Sequence, residues 1–275
     1  MSSCIAFIGG GNMASAIIGG LRRAGHAAED LLVVEPLAAQ RERLQAEFGV
    51  AALPAGDASL ARASTVVWAV KPQLFLQAAT PVAPHVGQAL QLSIMAGLRS
   101  SAVALAIGGA RVVRGMPNTP ALIGAGITGL FAGDGVSEAD RAVVDQLLAP
   151  TGRTLWVRQE SDLDTVTALS GSGPAYVFYL VEHLVAAAQS LGLEEAQARE
   201  LAVATCAGAA ALALQSGESP AALREKVTSK GGTTHAALTV LESEGVGAAV
   251  QRAVAAAHRR AQELGDEFGR APGAV

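Results

Sequence analysis

The chain has 275 residues, 51% of them hydrophobic and 16% charged, which is enough for one large or two ordinary domains with a substantial core. A formal net charge of −4 leaves no basic footprint for nucleic acid and no attraction to an anionic membrane surface. Cys4 and Cys206 form no CxxC pair, and His26, His85, His183, His235 and His258 lack metal-ligand spacing, so neither a disulfide framework nor a metal is predicted.

Residues 4–8 read as a buried strand running into Gly9-Gly10-Gly11-Asn12-Met13-Ala14, a GxGxxA turn that opens a helical run over 15–24. Gly9 permits the tight turn, Gly11 lets a pyrophosphate approach the backbone, and Ala14 keeps helix and strand close. A second strand over 31–35 completes the β-α-β context. It ends at Glu35, where an acidic residue bonds the ribose 2′-hydroxyl of NADH and repels a 2′-phosphate. Arg41 and Arg43 follow shortly after. Either can accommodate a 2′-phosphate or belong to a solvated helix face, and the sequence leaves both readings open.

The alternation continues with a helix over 38–48, strands over 65–70, 90–95 and 111–116, and helical segments at Leu60, 74–79 and 101–107. Strands over 127–132 and 154–157 flank a helix over 137–148. This pattern predicts a doubly wound parallel sheet of the Rossmann type across residues 1–158. Ligands of such sheets sit beyond the strand ends. That directs attention to Ala69-Val70-Lys71-Pro72 and to Met116-Pro117-Asn118-Thr119-Pro120, where Asn118 offers a short polar group beside two rigid prolines.

Beyond Arg158 the strand signals stop, and helices are predicted over 161–169, 175–191, 194–215, 220–227, 233–244 and 246–268. Residues 159–275 therefore read as an all-α domain. Its long Ala-rich surface, with the run 202–214 at its centre, is read as a dimerisation face rather than a cap on the first domain. That run is too short and too alanine-rich to span a bilayer. The start of the chain lacks a basic n-region and a cleavage site, so a cytoplasmic protein is expected. Residues from Gly269 onward are expected to fray.

Two glycine clusters mark the helical half. Ser170-Gly171-Ser172-Gly173-Pro174 opens its long helix, with Ser172 or Gly173 as cap, and two glycines point to close approach by a ligand or a partner helix. Ser229-Lys230-Gly231-Gly232-Thr233-Thr234 precedes another helix. Converging N–H groups and the helix N-terminus there suit a small carboxylate, and a plain Thr-capped helix start is the alternative.

With these segments together, the chain resembles the pyrroline-5-carboxylate reductase family over essentially its whole length. GGGNMA, AVKP, MPNTP, ALSGSGPAY and VTSKGGTT occur in the family's order. The resemblance implies a Rossmann domain, a helical dimerisation domain and reduction of 1-pyrroline-5-carboxylate by NADPH or NADH to proline. It also implies homodimers, which some members assemble into decamers. Carried across by position, Gly9, Gly11, Asn12, Met13 and Ala14 form the pyrophosphate loop. Ala69, Val70, Lys71 and Pro72, with Met95, Ala96 and Gly97, form the nicotinamide-side walls. Ser229, Gly231, Gly232, Thr233 and Thr234 bind substrate, with Glu160 nearby and Thr234 assigned the catalytic contact. Lys230 stands where many members have Pro, and no Asn lies near Gly56 and Asp57, where many relatives supply one to the ribose.

Two other functions fit less well. A β-hydroxyacid dehydrogenase needs a Lys in a glycine-spaced helix, and the helical half holds only Lys226 and Lys230, both at the loop. A nucleotide-sensing scaffold would have no use for the GGTT carboxylate loop.

Overall fold

The computed structural model describes residues 4–269; the expected frayed end lies outside them from residue 270. Strands β1 (Ile5–Ile8), β2 (Leu31–Val34), β3 (Ala52–Leu53), β4 (Thr65–Trp68), β5 (Leu90–Ser93), β6 (Val112–Met116), β7 (Gly126–Ala132) and β8 (Gly152–Trp156) form one sheet. Their order is β3-β2-β1-β4-β5-β6-β7-β8. The first six are mutually parallel, β7 runs antiparallel to β6, and β8 is parallel to β7. The antiparallel β7 departs from the parallel sheet that the alternation of strands and helices predicts. The cause is the connection 117–125, which is shorter than the dozen or so residues a parallel crossover needs.

Helices α1 (Asn12–Arg23), α2 (Ala38–Phe48), α3 (Phe75–Val86), α4 (Ser100–Ile107) and α5 (Glu138–Leu148) cover both faces. That cover explains why β1 and β4 are buried at every position rather than on alternate ones. Ile5 and Phe7 pack with Ile17, Leu21, Val144 and Leu148 on one side. Ala6 and Ile8 pack with Trp68, Phe75, Val82 and Val103 on the other. Helix α3 runs well past Ala79, its expected end, despite Pro81 and Pro84. Its inward face of Phe75, Ala79, Val82 and Val86 is buried. Burial of each large apolar side chain is worth about 1.5–3 kcal/mol, enough to hold a helix whose prolines remove backbone bonds.

After β8 the chain forms α6 (Asp162–Val166) and a π-turn at Thr167–Gly171, in which the Ser172 N–H reaches Thr167 O at 2.8 Å. The expected single helix over 161–169 is thus a short helix widened at its end. Then follow α7 (Gly173–Ser190), α8 (Glu195–Ser216), α9 (Pro220–Lys226), α10 (Thr233–Ser243) and α11 (Val246–Gly269). The chain divides into two compact units: Gly173–Ala256 is helical, and the remaining described residues form the sheet-bearing unit, including α11 from Ala257 onward. No helix among the described residues is long and apolar enough to cross a membrane.

The helical unit buries almost nothing of its own. Only Ala198 and Ala202 are buried in it, while Phe178 is 68% and Leu214 69% exposed. So large an apolar surface calls for a covering partner, and a second copy is the one expected from the sequence. Light scattering at micromolar concentration should give a multiple of the 27.7 kDa chain mass, and the single-chain mass would reject the reading.

In the sheet-bearing unit, Asp140 ties α5 to the start of β6. Its carboxylate takes the Ser137 N–H at 2.9 Å and the Ser137 hydroxyl at 2.8 Å in a capping box, and it pairs with Arg111. The Arg111 hydrogen bond, helped by Ser137, holds its pKa down to about 2 against an ordinary 3.8. A depressed carboxylate pKa stabilises fully above the unfolded value and loses that contribution as pH falls through the folded one. Between about pH 5 and pH 2, wild type should therefore lose about 2 kcal/mol more stability than Asp140→Asn in urea unfolding. Parallel pH curves would remove Asp140 from this role.

Candidate active site

The turn after β1 has the shape that its glycines require. Gly9 lies at φ +97°, and a Cβ there would sit 2.8 Å from Ala69 O, so β1 and the end of β4 touch through backbone. A Cβ on Gly10 would come 2.7 Å from Leu44 Cδ1. Gly11 differs, because nothing lies within 4 Å of where its Cβ would be. It precedes α1 in extended backbone without a side-chain cap, so the first N–H groups of the helix face an open cradle. Asn12 is exposed there, Met13 packs against the core, and Ala14 is buried against the sheet. An open glycine cradle over an uncapped helix start fits the pyrophosphate of a dinucleotide, and the bound nicotinamide would supply hydride chemistry.

Glu35 lies just past β2, as expected, but its carboxylate is turned inward. The residue is 7% exposed, Oε2 accepts the Gly10 N–H at 2.9 Å, and Oε1 accepts the Leu37 N–H at 2.9 Å. One oxygen thus braces the glycine turn and the other the entry to α2. Two side chains of α2 join the brace. Gln40 Nε2 donates to Gly10 O, and Arg41 Nη1 donates to Glu35 O at 2.9 Å and Pro36 O at 2.7 Å.

The other expected cofactor residues follow the ends of β4, β5 and β6 along the same edge of the sheet. Ala69 and Val70 are half-buried, and exposed Lys71 precedes Pro72 at the start of a short 3₁₀ turn. Of the β5 segment, only Ala96 is partly open. Met95 is buried, and Gly97, at φ +77°, lies against α11, where a Cβ would meet Phe268 at 3.0 Å and Leu264 O at 3.2 Å. Asn118 is nearly buried, its Oδ1 accepting the Ile127 N–H at 3.0 Å to pin the loop before β7.

Glu160, expected beside the substrate, is engaged within the sheet-bearing unit. Its Oε1 accepts the Ser100 N–H at 2.6 Å and its Oε2 the Ser100 hydroxyl at 3.0 Å, which caps α4 from outside that helix. Arg114, 2% exposed on β6, lies 3.4 Å from Glu160. Burial pushes the Arg114 pKa down, opposed by the Glu160 and Asp164 carboxylates. Asp164 in turn binds Arg99 at 3.1 Å. The glycine of the SGSG segment also has a protein neighbour: a Cβ on Gly171 would lie 2.7 Å from Met116 Cε, whereas Gly173 faces open space.

The second glycine loop belongs to the helical unit. Gly231 adopts φ +79°, and the Gly232 N–H reaches Ser229 O at 3.0 Å, closing a tight turn. Gly232 is the N-cap of α10 in extended backbone, with no side-chain capping bond, so neither Thr233 nor Thr234 serves as the cap. Their N–H groups occupy the first turn, where a helix has no intrahelical partner to offer. Thr234 is half-buried, and Ser229 and Thr233 are exposed. Among the described residues, no group of three or more His, Cys, Asp or Glu side chains could hold a metal ion.

Residues 160–264 match the family described as pyrroline-5-carboxylate reductase dimerisation, and residues 4–97 one described as NADP oxidoreductase, coenzyme F420-dependent. The chain is 42% identical over 267 residues to a pyrroline-5-carboxylate reductase of Pseudomonas aeruginosa, covering 96% of this chain and 98% of the relative. It belongs to the pyrroline-5-carboxylate reductase family. Its structure is similar to that of a pyrroline-5-carboxylate reductase from Coxiella burnetii, with a TM-score of 0.89, 34% identity and coverage of 98% and 100%. A Plasmodium falciparum pyrroline carboxylate reductase with NADP bound matches at a TM-score of 0.84, 26% identity and coverage of 96% and 98%.

In this member of the reductase family, the inward brace of Gln40 carries no sequence signal, and the buried Arg114 carries only an indirect one. Gln40 reads as an ordinary helix residue and Arg114 as a charge inside a strand. The one available clue was that a charged side chain in the middle of an apolar strand needs a buried partner.

The two glycine environments predict opposite behaviour. Gly9→Ala should lower the melting temperature, since the left-handed backbone alone costs a side chain about 1–3 kcal/mol before the contact with Ala69. Gly11→Ala should melt like wild type but bind nucleotide more weakly, because its methyl group enters the cradle. Calorimetric melts with nucleotide titration check both, and equal melting temperatures for the two variants would contradict the assignment.

Proposed function

We propose that this reductase uses NADPH or NADH to reduce 1-pyrroline-5-carboxylate to L-proline, the last step of proline biosynthesis. The observation that carries the reading is similarity along nearly the whole chain to enzymes of that name. The open glycine cradle after β1 supports it. In this reading residues 1–158 hold the nucleotide and 159–275 hold substrate and form a homodimer acting in the cytoplasm.

The reaction requires little acid–base machinery. A cyclic imine is most electrophilic when its nitrogen is protonated, and the nicotinamide delivers hydride to the C=N carbon. The protein's main task is to hold the ring in place. We assign the substrate carboxylate to the N–H groups at the start of α10 and the turn Ser229-Gly231-Gly232. The Thr234 hydroxyl is assigned to the ring nitrogen. That α10 is capped by Gly232, leaving both threonine hydroxyls free of capping, supports this use of Thr234.

Purified protein should oxidise NAD(P)H only with 1-pyrroline-5-carboxylate present and form proline, while 3-hydroxyisobutyrate-type substrates give no turnover. Inactivity with both cofactors would overturn the proposal. Within it, Thr234→Ala should lower efficiency about tenfold to a hundredfold, the worth of one hydrogen bond to a charged ligand. Thr233→Ala is the control and should stay near wild type. Equal kinetics for the two variants would remove Thr234 from the substrate contact.

A further inference from the structure

We propose that Arg41 reads the adenosine 2′-phosphate and gives this enzyme a preference for NADPH over NADH. The inference rests on the nucleotide reading of the site and reverses what Glu35 alone implies. An acidic residue after the second strand of a doubly wound sheet excludes a 2′-phosphate when its carboxylate is free to face the ribose. Here that carboxylate is withdrawn. Its two oxygens hold the Gly10 and Leu37 N–H groups, and the residue is almost fully buried.

The positive group beside it is held in place instead. Both Nη1 hydrogens of Arg41 go to backbone carbonyls, Glu35 O at 2.9 Å and Pro36 O at 2.7 Å. These two anchors station the guanidinium at the carboxyl end of β2, on the side where such sheets receive the ribose. Its Nε and Nη2 N–H groups make no other hydrogen bond among the described residues, and they form the fork that suits phosphate oxygens. Arg43, the other arginine of this helix, is paired with Glu47 at 2.8 Å on an exposed face. The side chain free to meet a 2′-phosphate is therefore Arg41, already ordered by its anchors, so that less rotamer freedom is lost on binding.

The test separates nucleotide recognition from the reaction. Adenosine 2′,5′-bisphosphate and 5′-AMP are titrated calorimetrically into wild type, Arg41→Ala and Glu35→Gln, and kcat/KM is measured for NADPH and NADH on the same proteins. Wild type should bind the bisphosphate at least about tenfold tighter than 5′-AMP, and Arg41→Ala should cut that ratio by about tenfold to a hundredfold, with the NADPH-to-NADH efficiency ratio falling in step. Glu35→Gln, which presents an NH₂ to one of two N–H donors, should weaken both nucleotides together and leave their ratio in place. Equal binding of the two nucleotides by wild type overturns the proposal without any variant. So does an Arg41→Ala ratio that does not move, or a Glu35→Gln ratio that rises toward the bisphosphate. The binding arm contains no imine, so a protein that fails to form proline but shows the expected ratios would refute the reaction and keep Arg41.

Discussion

The nucleotide half of this enzyme is organised around one buried carboxylate. Leaving a charged group out of water is costly unless hydrogen bonds replace its solvation, and Glu35 obtains them from the Gly10 and Leu37 N–H groups. Those bonds fix the middle of the glycine turn and the entry to α2 relative to each other. Gly9 pressed on Ala69 and Gly10 pressed on Leu44 leave the turn no other path. The cradle at Gly11 is what remains open.

Much of this was legible from residues whose backbone demands are specific. The turn needs Gly9 at positive φ, and helix α2 spans the residues 38–48 predicted for it. Sequence position also placed Glu35 at the strand end. It could not tell which way the carboxylate points, because that depends on N–H donors brought in by Gly10 and Leu37 from two separate turns. The helix predicted over 74–79 extends to Val86 because its buried face outweighs the prolines inside it. The two-residue β3 is too short to show a period. The direction of β7 was encoded in the length of its connection rather than in the character of its residues. At Gly171, glycine marked a close approach correctly, but the neighbour is Met116 of the protein itself.

The buried ion cluster explains why a residue expected at the substrate lies where it does. Arg114 is a guanidinium inside a sheet, with Glu160 and Asp164 for partners. Glu160 spans from that charge to the uncapped start of α4, so one carboxylate serves both a buried cation and a helix N-terminus. Its link to the site runs through the segment it steadies, since α4 follows directly on the Met95-Ala96-Gly97 turn.

The two compact units hold themselves together by different means. The sheet-bearing unit has two cores, one on each face, and is complete in one chain. The helical unit, with two buried alanines, has no comparable interior. Its folding is then a reaction whose order exceeds one: unfolding and dissociation become a single equilibrium, and the melting temperature rises with protein concentration. A substitution on the exposed face of α7 or α8 would look harmless in a single chain yet act as a folding mutation, with a severity set by how dilute the protein is.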